Sequence, residues 1–182
     1  MFITVVGLGK IGLPLAVQYA MKGHQVLGAD TNPNVVASVN SGIEPFPGED
    51  MLAEYLAEVV QSGRLSATQD TTAAVKASDA VVVVVPLFVD ENGLPDFGWM
   101  DSATDAIGRG LTAGTLVSYE TTLPVGTTRT RFGPKLEELS GLHAGSDFDL
   151  VFSPERLLTG RVFQDLRRYP KLVGGVTEQS AA

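Results

Sequence analysis

The chain has 182 residues, with 21 Asp and Glu against 13 Lys and Arg for a formal net charge of −8, 44% hydrophobic residues, 20 Gly, 10 Pro and no Cys. A chain of this length buries about 70% of its unfolded surface, enough for one core without staples, and its apolar content excludes a disordered tail. The acidic balance without a Lys/Arg cluster argues against nucleic acid or an anionic membrane as the main partner, and the lack of Cys excludes disulfides, thiolate metal sites and a cysteine nucleophile within these residues.

Phe2–Val6 is β-branched and apolar on both faces, as a central parallel strand covered on both sides requires. It is too short and lacks the basic lead of an export signal, and no stretch approaches the roughly 20 apolar residues of a membrane span. The expectation is a cytoplasmic protein. A helical pattern follows through Leu13, Leu15, Ala16, Val17, Tyr19 and Ala20, with Pro14 tolerable in its first turn and Gly23 placed to end it. Gln25–Ala29 reads as a second strand closed by Asp30, and Asn32-Pro33 opens a helix through Val35, Val36 and Val39 that stops at Ser41-Gly42.

After a proline-rich crossing, residues 51–62 predict a helix, 66–69 a short strand and 71–77 a helix. The valine run 81–85, bounded by Asp79 and Pro86, is the clearest buried strand. A loop with Asp90, Asn92-Gly93 and Pro95 leads to a helix over 100–110, a strand over 115–119, a helix over 127–139, and short strands at Asp149–Phe152 and 171–173. Strands alternating with helices at this spacing predict an α/β fold with a doubly wound, mostly parallel sheet in one domain, without internal repeats or linkers.

Gly7-Leu8-Gly9-Lys10-Ile11-Gly12 fits G-x-G-x-x-G, a pattern that is weak alone in a glycine-rich chain. Here it leaves a predicted strand, enters a predicted helix and is followed by Asp30 at the end of the next strand, the context that makes it a dinucleotide fingerprint. Gly7 permits the tight turn, Gly9 lets a pyrophosphate approach bare backbone, and Gly12 lets the helix pack against the strand with its N-terminal dipole toward the phosphates. Asp30 can accept from both ribose hydroxyls and would repel a 2′-phosphate, which favours NAD over NADP; no Arg follows it closely. The plainer alternatives are turn glycines, a helix-capping Asp30, or a flavin in place of NAD.

Two polar clusters fall just past later strands, where open α/β sheets bind ligands. In Glu120-Thr121-Thr122-Leu123-Pro124 with Gly126-Thr127-Thr128, Thr122 is placed to hold a water or touch the nicotinamide, while Thr127 or Thr128 is most simply a helix N-cap. In Ser153-Pro154-Glu155-Arg156 the Glu-Arg pair reads as a structural ion pair or as a general base with its neighbour.

Together GLGKIGLPL from Gly7, Gly23-His24, Ser62-Gly63-Arg64-Leu65, the clusters at 120–128 and 153–156, and Tyr169-Pro170-Lys171 with Gly174-Gly175 resemble the UDP-glucose/GDP-mannose dehydrogenase family over nearly the whole chain. The Ser-Pro-Glu-Arg form is similar to the branch acting on UDP-N-acetylmannosamine. The resemblance implies a Rossmann-type domain in which Gly7, Gly9, Lys10, Ile11, Gly12, Asp30, Pro86 and Thr122 contact NAD. It further implies that Thr122 and Glu155 serve catalysis, Glu155 by positioning or deprotonating water, and that no metal takes part.

Family members oxidise the C6 alcohol of a UDP-sugar twice to a uronic acid, through a thiohemiacetal on a Cys that this sequence lacks. Leu87 and Phe88 stand where the family often has Thr, and Thr159 replaces a second acid of the UDP-glucose branch. Residues 1–182 are therefore expected to be the NAD-binding domain of a longer enzyme, without its central helix and sugar-binding domain, the whole being a homodimer or larger. Two other readings share the fold: a hydroxy-acid dehydrogenase, and a free-standing NAD-binding module without catalysis.

Overall fold

The computed structural model describes residues 1–182. In chain order the elements are β1 (Phe2–Val6), α1 (Gly12–Met21), β2 (Gln25–Ala29), α2 (Pro33–Asn40), α3 (Leu52–Gln61), β3 (Leu65–Thr68), α4 (Thr71–Lys76) and β4 (Ala80–Val83). The second half holds a small hairpin, β5 (Phe88–Val89) and β6 (Pro95–Asp96), then α5 (Gly98–Gly110) and β7 (Leu116–Tyr119). A π-helical turn (Thr128–Phe132) leads into α6 (Gly133–Ser140), followed by β8 (Asp149–Phe152), α7 (Val162–Arg168), β9 (Gly174–Gly175) and α8 (Glu178–Ala181). No helix is long and apolar enough to cross a membrane.

The main sheet has seven strands in the order β3-β2-β1-β4-β7-β8-β9. All neighbours pair in parallel except β9, which runs antiparallel to β8. The chain winds outward from β1 to β3, returns to lay β4 beside β1, and then winds the other way. Order reverses between β1 and β4, so the connections leave those two strands in opposite directions and open a crevice at their carboxyl ends.

Successive residues of the inner strands feed opposite cores. Ile3 and Val5 join Val82 under α1, α2, α3 and Phe163 of α7, whereas Val6, Val81 and Val83 pack against residues of α4, α5 and α6. Burial on both faces explains why these strands read as unbroken apolar runs. Local signals set several helix starts: Asn32 accepts the N–H of Asn34 with Pro33 in the first turn of α2, and Asp70 accepts the N–H of Ala73 at 2.9 Å ahead of α4.

The structure departs from the sequence reading at several edges. β4 closes at Val83; the Val84 N–H still donates to the Val6 carbonyl at 2.9 Å, and the Val85 carbonyl then accepts the Thr121 hydroxyl at 2.6 Å in place of a ladder bond. The helix expected over 127–139 opens with the π-turn, which lies just before Pro134, a residue that supplies no N–H to a regular helix. The strand expected at 171–173 lies at Gly174–Gly175, since the Pro170 and Leu172 carbonyls accept from the Arg156 and Ser153 side chains in place of a ladder. The hairpin, α7 and α8 have no counterpart in the sequence reading, as two-residue strands and short helices carry too little periodicity.

Phe132 anchors the second core, fully buried and stacked on the Tyr119 ring with centroids 4.7 Å apart. Replacing Phe132 by Ala should cost about 3–5 kcal/mol. Urea unfolding checks this as a lowered midpoint with an unchanged slope.

Candidate functional site

The glycines of the loop after β1 do different things. Gly7 has φ +93°, in the left-handed region, and a Cβ there would meet the Val84 carbonyl oxygen at 3.1 Å. A Cβ on Gly12 would lie 1.9 Å from the Gly7 carbonyl oxygen and 2.9 Å from a Val84 methyl. Gly9 is the opposite case: it is exposed, and a Cβ there would have nothing within 4 Å. The outer glycines thus permit close packing, and the middle one leaves a bare backbone surface.

That surface sits at the N-terminus of the ten-residue α1, where the N–H groups of Gly9, Lys10, Ile11 and Gly12 find no acceptor within the protein. Free N–H groups at the positive end of a helix dipole fit a pyrophosphate. The loop is anchored from behind by Leu8, fully buried against β2. Gly28 makes room for it, since a Cβ there would lie 2.6 Å from a Leu8 methyl carbon. Sequence reasoning missed Gly28, although a glycine inside an apolar strand is a signal of close approach.

Asp30 stands at the carboxyl end of β2. One oxygen accepts the N–H of Leu8 and the other that of Asn32, both at 2.8 Å. It does not cap α2, a task Asn32 performs. Each carboxylate oxygen keeps a further lone pair, so two hydroxyl donors can still be received. Pro86 is exposed beyond the end of β4, the strand that pairs with β1.

The second cluster forms where β7 and β8 end. The ladder continues past both strands, with the Ser153 N–H donating to the Tyr119 carbonyl at 2.9 Å and the Glu155 N–H to the Glu120 carbonyl at 2.8 Å. Glu120 is 3% exposed and accepts from the Ser118 hydroxyl at 3.1 Å. Lys171 donates to Glu120 and to Glu155, each at 2.6 Å. The ion pair expected between Glu155 and Arg156 is therefore not the one formed: the Arg156 guanidinium donates to the Pro170 carbonyl and lies over the Tyr169 ring. Only the Arg156 backbone N–H bonds to Glu155, at 2.8 Å.

Burial pushes the Glu120 carboxyl above the ordinary range and Glu155 adds to this, while Lys171 and Ser118 oppose it. Burial works against the Lys171 ammonium too, but Glu120 and then Glu155 outweigh it and hold the amine above the usual lysine value. Tyr19 of α1 faces the same cluster, and burial, then Glu120 and Glu155, push its phenol upward.

Thr122 is exposed just beyond β7, its hydroxyl unengaged, while Thr121 takes the structural bond to β4. Thr127 does not cap with its oxygen as expected; its hydroxyl donates to the Pro124 carbonyl at 2.8 Å. A cavity of about 130 Å³ brings Gly9, Lys10 and Leu13 together with Glu49, Thr159 and Gly160, so the loop carrying Glu155 reaches the glycine loop. A larger cavity of about 290 Å³ lies between the π-turn and β9 and is lined by neither Asp30 nor Glu120 nor Glu155. Glu49, which sequence reasoning also missed, accepts the N–H groups of Gly160 and Val162 at 2.6 Å each.

These environments separate the two glycines by experiment. Gly12→Ala should destabilise the domain by about 3 kcal/mol or more, because backbone rather than a flexible side chain must yield. Gly9→Val should change stability by less than about 0.5 kcal/mol. Denaturant unfolding of both variants measures the contrast.

The model of the UDP-glucose/GDP-mannose dehydrogenase family, NAD binding domain, matches residues 1–182. The UDP-N-acetyl-D-mannosamine dehydrogenase of Pyrococcus horikoshii is 36% identical over 183 residues, which are 100% of this chain and 42% of that protein. The Campylobacter jejuni enzyme of the same name is 36% identical over 190 residues, covering 98% of this chain and 44% of its own length. This chain thus spans about two fifths of the curated relatives it matches. A solved ternary complex of GDP-mannose dehydrogenase from Pseudomonas aeruginosa superposes with a TM-score of 0.94 at 30% identity, over 99% of this chain and 42% of the other. The chain belongs to the UDP-glucose/GDP-mannose dehydrogenase family and is built as its NAD-binding domain.

Proposed function

We propose that residues 1–182 form the cofactor domain of a cytoplasmic UDP-sugar 6-dehydrogenase, which oxidises the C6 alcohol of UDP-N-acetylmannosamine or UDP-glucose to a uronic acid in two NAD-dependent steps. The observation that carries this reading is the division of labour in the glycine loop, with a bare Gly9 face and free N–H groups at the start of α1 beside an Asp30 that retains acceptor capacity. The relatives, both UDP-N-acetyl-D-mannosamine dehydrogenases, support the substrate class.

Bound NAD supplies the hydride acceptor. The backbone of Gly9, Lys10, Ile11 and Gly12 receives the pyrophosphate, Gly7 sets the turn, Asp30 receives the adenosine ribose hydroxyls, and Pro86 and Thr122 border the nicotinamide end. Glu155 takes a proton from the water that hydrolyses the second-step thioester, and the Thr122 hydroxyl orients that water. The thiol that forms the thioester must come from outside these residues, which contain no Cys. On this reading the whole enzyme binds the sugar with a further domain and is a homodimer or larger.

Asp30 makes the first test. Calorimetric titration should show NAD binding and much weaker NADP binding, because a 2′-phosphate would face the carboxylate; equal or tighter NADP binding contradicts the assignment. Asp30→Ala should weaken NAD by about 1–3 kcal/mol, since it removes the ribose acceptor and the Leu8 tether together.

Glu155 makes the second. In the natural full-length enzyme, Glu155→Gln should slow thioester hydrolysis more than the first hydride transfer, since a neutral amide cannot take the water proton. Rapid-quench kinetics resolves the two steps, and an undiminished hydrolysis rate removes Glu155 from the chemistry.

A further inference from the structure

The segment 169–172 lies beside the loop 153–156 without sharing a backbone ladder with it. Side chains make the connection: the Ser153 hydroxyl donates to the Leu172 carbonyl at 2.8 Å, Arg156 donates to the Pro170 carbonyl and covers Tyr169, and Lys171 reaches both Glu120 and Glu155. We propose that this segment is a strap whose Lys171 is a positioning residue for Glu155, with the buried Glu120 as the anchor that fixes the lysine. The proposal rests on the reading of Glu155 as the acceptor of the water proton.

The geometry argues for it in three steps. A single ammonium lies 2.6 Å from an oxygen of each carboxylate, so those oxygens are no more than twice that distance apart. Carboxylates so close cannot both carry charge cheaply without a cation between them. Loss of Lys171 would leave Glu155 with no adjacent positive charge to favour its ionised form and without the bond that holds its Oε2.

The anchor is asymmetric. Glu120 has 4% of its side chain exposed, Glu155 12% and Lys171 37%, so Lys171 spans the two carboxylates from the open side, with Glu120 as its deeper contact. The Glu155 backbone is fixed separately by its N–H bond to the Glu120 carbonyl. Losing the lysine therefore releases Oε2 of Glu155, leaves Oε1 with the Arg156 N–H alone, and keeps the chain path in place. The other charged or titratable groups facing the cluster are Tyr19 from α1 and Arg156 in the loop, and Arg156 spends its side chain on the strap.

The test uses the natural full-length enzyme with NAD⁺ and UDP-N-acetylmannosamine, and compares Lys171→Met, Lys171→Arg and Glu155→Gln. Lys171→Met should lower kcat at neutral pH by about tenfold or more and move the acid limb of the kcat–pH profile upward by about one unit or more, with the KM for NAD⁺ unchanged. Lys171→Arg should restore the limb. If Glu155→Gln is impaired while Lys171→Met keeps the wild-type kcat and acid limb, the strap inference fails alone. If Glu155→Gln is fully active, the reading of Glu155 fails first. Should Lys171→Met not fold, the double variant Glu120→Gln with Lys171→Met removes the buried charge with its cation, and retained wild-type kcat there overturns the proposal.

Discussion

The first turn of α1 comes so near the end of β1 that a single carbon on Gly12 would overlap the Gly7 carbonyl, and the geometry of the crevice follows from that approach. With the helix drawn against the strand, the intervening residues must turn outward, and Gly7 does so at φ +93°. The outward turn exposes the Gly9 backbone and leaves the N–H groups at the helix start without acceptors. Packing and the bare backbone surface are thus two results of one contact. Leu8 keeps the loop from lifting, because its side chain is buried over Gly28 while its N–H is held by Asp30.

Carboxylates serve the crevice in two physically different ways. Asp30 is half-buried and satisfied by two backbone N–H groups, where water still moderates its charge, and so can greet hydroxyl groups at low cost. Glu120 lies inside, where burial disfavours its charge, and only the close ammonium of Lys171 makes a second carboxylate tolerable beside it. The first arrangement suits binding. The second suits a group whose protonation must be controlled.

Much of the first arrangement is legible in the sequence and little of the second. The glycine loop lies on consecutive residues between a strand and a helix, and Asp30 falls at the end of the neighbouring strand, so short-range spacing encodes the contact. Glu155 and Thr122 stand out as polar residues past strand ends. Their partners do not, because the Lys171–Glu120 contact joins residues 51 apart and no local pattern announces it. The nearest residue of opposite charge, Arg156, is the natural partner to expect for Glu155, yet its side chain turns to Pro170 and Tyr169. The parallel sheet is implied by alternation alone, whereas the reversed β9 and the 88–96 hairpin depend on pairings of two residues that periodicity cannot register.

The fold also joins the two sets of residues by long-range bonds from both sides. Glu49, in the crossing that follows α2, accepts the N–H groups of Gly160 and Val162 across 111 and 113 residues of chain. It satisfies orphan donors at the start of α7 with a negative charge, the sign that a helix N-terminus favours. The same contact brings the end of the Glu155 loop beside Gly9 and Lys10 around one cavity. On the other side, the continued ladder from β7 to Glu155 ties the beginning of that loop to the sheet. A loop held at both ends keeps its path while its side chains adjust, so the Glu155 carboxylate at its tied beginning can be shared between Lys171 and the Arg156 N–H without the loop moving as a whole.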